Sequence, residues 1–127
     1  MRRGSSLVEV LVAMSLVLLL VVGTAEMLTL SLKAKRRGDV LAAITHAVSD
    51  RCAGLRARPY EDAALAAGTY AETVRVGPGG YLIAQSWEIA DGADGLKRVR
   101  LTAREAGRPG PGTAAVLFIA RDLGFRP

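Results

Sequence analysis

An acidic residue, Glu9, stands at the N-terminal border of a strongly apolar stretch, residues 10–22. A carboxylate held in the hydrocarbon of a membrane costs about 3 kcal/mol on insertion scales, so an acid in such a place is by default a candidate functional site. The ordinary alternative is a glutamate that rests in the headgroup layer, near a helix N-terminus that favours anions. We favour a functional role because Arg2-Arg3-Gly4 comes shortly before it.

A row of arginines, Arg98, Arg100 and Arg104, is the second candidate for chemistry. Arginines on one face of a strand can bind the phosphates of DNA. The alternative is the solvated face of a sheet, which we favour because no aromatic residue lies between the arginines to stack on bases. Nucleic acid therefore remains a possible partner that the sequence does not favour.

No catalytic set is visible, and the sequence predicts neither an enzyme nor a cofactor or metal site. His46 is the only histidine and Cys52 the only cysteine. A zinc site would therefore lack ligands, and an internal disulfide would lack its second cysteine. Cys52 falls on an apolar stripe and is predicted to pack in the core. Asp91 and Asp94 lack the spacing and the closing glutamate of a calcium loop, which favours a plain hairpin turn.

The composition favours one small domain with a basic surface. The chain has 127 residues, of which 50% are apolar, and a net charge of +5 that comes mostly from arginine. This excess suits a partner that bears phosphate or carboxylate groups. Solubility and attraction to a membrane surface explain the same charge more simply.

The N-terminal segment is long enough to cross a bilayer as a helix. Residues 7–25 would rise about 28 Å at 1.5 Å per residue, close to the thickness of the hydrocarbon. A cleaved secretory signal is the competing interpretation, since Arg2 and Arg3 precede the segment and small residues follow it. Against it, Glu9 interrupts the start of the apolar region, and the helical pattern continues beyond residue 25.

A single helix is predicted to run from Ser5 to about Arg58, because no proline occurs before Pro59. Its first half is apolar all round, whereas its second half is amphipathic. Apolar residues recur there at three- and four-residue spacing, namely Leu41, Ile44, Val48, Cys52 and Leu55. The second half is therefore expected to pack on one globular partner.

After Pro59 the pattern changes to the two-residue period of strands. The predicted strands are residues 70–76, 81–89, 98–104 and 115–120, separated by turns at 77–80, 91–95 and 107–112. Residues 60–68 are predicted as a short helix or turn. The fold class is therefore α+β, a long helix whose second half is covered by a small antiparallel sheet of about four strands.

Residues 2–25 resemble the class III signal of type IV pilins and type II secretion pseudopilins. In that family a short basic leader ends in glycine, and glutamate is the fifth residue after it, as Glu9 is when counted from Ser5. The likeness is carried by Arg2-Arg3-Gly4 and the run Ser5-Ser6-Leu7-Val8-Glu9-Val10-Leu11-Val12-Ala13-Met14. Residues 59–60, 67–70, 87–89 and 96–101 are similar to minor pilins and minor pseudopilins.

The resemblance implies the pilin fold and a processing reaction. A prepilin peptidase would cut between Gly4 and Ser5 on the cytoplasmic side, the new N-terminus of Ser5 would be N-methylated, and the apolar segment would be retained. Glu9 would then pair with a terminal ammonium, of its own chain or of a neighbour, and guide assembly of a filament. The usual phenylalanine after the cut is replaced by Ser5.

The implied protein is a minor pilin or pseudopilin of a type IV pilus or a type II secretion pseudopilus. The chain lacks the kinking proline of many major pilins, and its single cysteine cannot form their disulfide loop. The expected regions are a leader (1–4), a transmembrane helix half (5–25), an amphipathic helix half (26–58) and a sheet head (59–127) that forms one domain with 26–58.

The expected location is the inner membrane, crossed once, with the N-terminus cytoplasmic and the head periplasmic before entry into the filament. The expected partners are membrane lipid, other pilins or pseudopilins, the prepilin peptidase and the assembly platform. Basic residues at 33–37 argue for the opposite orientation by the positive-inside rule. Two alternatives remain: a membrane-anchored, partner-binding domain that never polymerises, and a secreted protein that loses about 25 residues.

Overall fold

The computed structural model describes residues 2–110 and 112–121, with side chains described from Ser6 onward. One long helix and four antiparallel strands form an α+β structure, as predicted. The chain consists of two compact units, Met1–Gly38 and Asp39–Pro127, and the boundary between them lies within the long helix. The elements are α1 (Arg2–Arg56), a one-turn 3-10 helix (Ala63–Leu65), β1 (Gly68–Val76), β2 (Tyr81–Asp91), β3 (Leu96–Glu105) and β4 (Gly112–Ala120).

The first unit is the N-terminal part of α1, and its apolar side chains are exposed. Leu19, for example, is 74% exposed. The hydroxyl groups of Ser15 and Thr29 donate to carbonyl oxygens one turn earlier, at 2.8 and 2.9 Å, so these polar groups are satisfied within the helix. Among the described residues, from Ser6 onward, α1 is the one helix long and apolar enough to cross a membrane, judged by length and composition.

In the second unit, one face of α1 packs against the sheet. The buried residues of this face follow helical spacing: Val40, Ala43, Ile44, Ala47, Val48 and Leu55. Cys52 is half-buried against the same core, as predicted. The prediction for Leu41 was wrong, since it is 42% exposed and Val40 is buried in its place. Leu41 lies about 100° further round the helix than Val40, at the margin of the buried face, whose centre is occupied by residues such as Ile44 and Ala47.

The helix begins at Arg2, three residues before the predicted start, and ends at Arg56, two residues before the predicted end. Pro59 explains the stop, because the residue before a proline is disfavoured in the helical region. A last helical hydrogen bond joins the amide of Ala57 to the carbonyl oxygen of Ala53 at 3.0 Å. The 3-10 helix then falls in the segment predicted as a short helix or turn.

The four strands follow one another in the order β1-β2-β3-β4, each antiparallel to the next. The predicted alternation is confirmed in the two central strands, whose inner residues face α1. These buried residues are Ile83, Gln85, Trp87 and Ile89 on β2 and Val99, Leu101 and Ala103 on β3. The outer residues of β3, including the three arginines, are exposed. β4 begins at Gly112, three residues earlier than predicted, because Gly112 already pairs with Arg104.

The turn between β1 and β2 requires glycine. The amide of Gly80 donates to the carbonyl oxygen of Gly77 at 3.0 Å, and φ is +77° at Gly77 and +62° at Gly80. Residues other than glycine rarely adopt these backbone angles. The turn therefore fixes the register in which Val76 pairs with Tyr81.

One buried cation, Lys97, was not predicted. It lies on the inner side of β3 and is only 8% exposed. Its ammonium group donates to the carbonyl oxygens of Tyr60 at 3.0 Å and Leu65 at 2.9 Å, and lies 4.6 Å from the centre of the Tyr60 ring. These contacts compensate the cost of burial and fasten the segment between α1 and β1 to the sheet.

Replacing Lys97 should therefore destabilise the second unit. In Lys97→Met the two carbonyl oxygens lose their donor, and we expect the free energy of unfolding to fall by about 1–3 kcal/mol. Urea denaturation in detergent, followed by the fluorescence of the single tryptophan, measures this change. Arg98→Met, at the exposed next position, is the matched control and should change stability by less than about 0.5 kcal/mol. Equal stability of the two variants would contradict this role.

Candidate functional site

Glu9 lies on α1, at the N-terminal border of the apolar part of the first unit. On its own face of the helix Ser6 precedes it and Val12, which is 53% exposed, follows it, so the carboxylate lies at the border between a polar first turn and apolar surface. Glu9 is itself exposed and forms no ion pair with any side chain that the structure describes. The acid therefore needs a compensating group from beyond the described side chains if this surface enters lipid.

The predicted cleavage site, Gly4-Ser5, has helical backbone, but the side chain of Ser5 lies outside the described part of the chain. Ser5 and Glu9 are four residues apart on this helix, and residues at that spacing lie on the same face, about one turn apart. A cut after Gly4 would convert the amide nitrogen of Ser5 into an ammonium group. The helix would then carry a cation and an anion about one turn apart, both at its N-terminal end.

The three arginines lie together on the outer face of β3, as the alternation predicted. Their cross-strand neighbours differ in charge and size. Arg100 pairs in register with Glu88 on β2 and Val116 on β4, so one carboxylate reduces the positive charge at this position. Arg104 pairs with Ala84 and Gly112, and Arg98 pairs with Ala90 and Phe118. The row is exposed, which allows either a solvated face or a contact with an anionic partner.

The other candidates occupy positions with ordinary structural roles. His46 is exposed on α1, and its Nδ1 lies 3.2 Å from the Oδ2 of Asp50. The two side chains form an ion pair when the imidazole is protonated. Asp91 and Asp94 are exposed around the β2–β3 hairpin. Among the described residues, no three histidine, cysteine or acidic side chains lie close enough together to hold a metal ion.

A polar cluster between α1 and the first two strands was missed. Arg51 forms an ion pair with Glu72, donates from Nε to the Gln85 Oε1 at 3.2 Å, and lies 4.4 Å from the centre of the Trp87 ring. Tyr70 stacks on the same ring at 5.8 Å. One sequence signal was available: Arg51 stands on the apolar stripe of α1, four residues before Leu55. A charge in that position requires a partner across the interface.

The outer face of the sheet contains a shallow concavity of about 650 Å³. Apart from Arg104, the side chains that line it from the outer face are small, namely Ala71, Thr73, Ala84, Ser86, Thr102 and Ala114. The hydroxyls of Ser86 and Thr102 lie 2.7 Å apart and bond to each other across the strands. Apart from Arg104 at its margin, the outward lining has no charged side chain that could orient a ligand.

Comparisons with protein-family models, curated proteins and solved structures found no match to this chain.

The Arg51 cluster can be tested separately from any function. Arg51→Ala removes an ion pair, a hydrogen bond and a cation–π contact from a half-buried position, and we expect a loss of about 2 kcal/mol in the free energy of unfolding. Arg56→Ala, on the exposed last turn of α1, is the control and should cost about 0.5 kcal/mol. Urea unfolding followed by tryptophan fluorescence compares them. Equal midpoints would show that the cluster adds nothing to stability.

Proposed function

We propose that this chain is a minor subunit of a pilin-like filament, either a type IV pilus or a type II secretion pseudopilus. The observation that carries the proposal is a helix, α1, whose N-terminal part exposes apolar side chains on all sides around one carboxylate. The same helix supplies, from Val40 onward, the buried face beneath a four-stranded sheet. One element thus combines a membrane-length anchor with the structural support of a small head.

The role of Glu9 follows from electrostatics. An unpaired carboxylate in lipid costs about 3 kcal/mol, whereas a carboxylate beside an ammonium group avoids most of this cost. Cleavage after Gly4 supplies the ammonium on Ser5. In a stack of similar helices the ammonium of one subunit also lies near the carboxylate of the next. Pairing between subunits then selects the stagger at which both charges are compensated.

The location and partners belong to the same proposal. The anchor crosses the inner membrane with its N-terminus in the cytoplasm, where the prepilin peptidase acts, and the sheet head lies in the periplasm. The basic residues Lys33, Lys35, Arg36 and Arg37 follow the apolar segment. The positive-inside rule opposes this orientation. We retain it because processing at Gly4 requires a cytoplasmic leader. Lipid, neighbouring subunits and the assembly platform are the partners.

Substitution of Glu9 tests the assembly role. Glu9→Ala should still insert into the membrane and be cut, because it removes a charge from an apolar segment. Its incorporation into the filament should fall about ten-fold or more, since about 3 kcal/mol of pairing is lost. Quantitative immunodetection of the subunit in sheared filaments, relative to total membrane protein, measures this ratio.

Glu26→Ala is the matched control, because it removes the same charge beyond the other end of the apolar segment. This variant should enter the filament at the normal ratio. Equal incorporation of Glu9→Ala and the unmodified chain would contradict the assembly role of Glu9. Absence of the unmodified chain from the filaments would favour an anchored domain that does not polymerise.

A further inference from the structure

The two edge strands of the sheet, β1 and β4, differ in how they are protected against pairing. β1 carries charged residues directed to opposite faces, Glu72 and Arg75. Such charges discourage the addition of another strand. β4 contains no charged residue and no proline over its nine residues, and it pairs with β3 without a bulge from Gly112 to Ala120. It therefore has none of these usual forms of edge protection.

The backbone of β4 is open on one side. In the described part of the chain, β4 pairs with β3 alone. Alternate residues of an antiparallel strand direct their N–H and C=O groups to the same neighbour, so about half of the groups of β4 point away from β3. A row of this kind is a template for an incoming extended segment.

The side chains of β4 are also suited to an added strand. Leu117 and Ile119 are buried on the inner side, at the margin of the core. On the outer side Val116 and Phe118 are 54% and 62% exposed. An added strand would extend the apolar inner layer and cover these two outer side chains.

The charges beside β4 define the chemistry of the occupant. On the outer face of β2, β3 and β4 the described charges are the three arginines of β3 and one carboxylate, Glu88. At the β2–β3 hairpin, Asp91 and Asp94 line a concavity together with Arg98 and reduce the positive charge at that end of the row. An added strand would lie about 9.6 Å from β3, two strand spacings away, a gap that an arginine and a glutamate can bridge together. Arg104 is best placed, because its neighbour on β4 is Gly112, which has no side chain in between.

We propose that β4 binds an extended, acidic segment of another protein, which adds to the sheet as a strand with carboxylates on the arginine side. A second copy of this chain is a poorer occupant. Pairing β4 with β4 would bring two rows of arginines to the same face and supply no carboxylate between them. The proposal goes beyond the filament role and does not depend on it, because it rests on the sheet alone.

A defined peptide tests the proposal on the full chain in detergent micelles. The probe is a short peptide that alternates valine with glutamate, and the control peptide has lysine in place of glutamate. Residue-resolved hydrogen exchange by NMR reports the amides of β4. At a peptide concentration about ten times its Kd, alternate amides of β4 should exchange about ten-fold more slowly, because only the free fraction exchanges. Amides of β1 should not change.

Two variants examine the charge requirement. Arg104→Gln should raise the Kd of the glutamate peptide about three-fold and reduce the effect of salt on its binding. Arg75→Gln is the same substitution on the opposite edge strand, and this variant should bind the glutamate peptide with the same Kd as the unmodified chain. The proposal is overturned if β4 gains no protection, if the lysine peptide protects equally well, or if β4 is protected without peptide in proportion to the protein concentration. The last result would identify a second copy as the occupant.

Discussion

The burial of one face of α1 beneath the sheet is the interaction on which the second unit depends. A single antiparallel sheet has two faces, and the described residues cover the inner one, which packs on residues 40–55 of the helix. Ile44, Ile83 and Leu101 are almost completely buried, and each contributes about 1.5–3 kcal/mol through removal of apolar surface from water. Lys97 and the Arg51 cluster add polar contacts at the margins of this apolar interface, which itself supplies most of the buried surface.

The same helix meets a different physical requirement in its first unit. There the apolar side chains are exposed on every side, and no described residue of that unit covers them. Such a surface is stable in lipid or among other apolar helices. An unpaired carboxylate is costly in that environment, so the proposed role of Glu9 depends on a positive charge beside it. The proposed filament supplies both the helices and the charge.

Much of the fold could be predicted because its signals are local. The inner and outer residues of β2 and β3 alternate strictly, since one face packs on the helix and the other meets water. The choice between Val40 and Leu41 could not be made from periodicity, because both are apolar neighbours. The partners of Lys97 and Arg51 could not be identified, since they are more than 20 residues away in sequence, although the place of Arg51 on the apolar stripe indicated that it needs a partner.

Part of the candidate site could likewise be predicted from the sequence and part could not. The place of Glu9 at the border of an apolar helix was readable from composition, and the row of arginines from alternation. The partner of Glu9 cannot be read from one chain, because the proposed cation arises only after cleavage or comes from a neighbour. The open edge of β4 required the strand order, since the sequence does not say which strands lie at the edges.

The most direct test of the account is the intact mass of the chain purified from the membranes of cells that contain a prepilin peptidase. The account predicts a mature chain that begins at Ser5 and keeps the whole apolar segment, whereas cells without the peptidase should retain the leader. A chain that still begins at Met1 in the presence of the peptidase, or one that begins near Glu26, would contradict it.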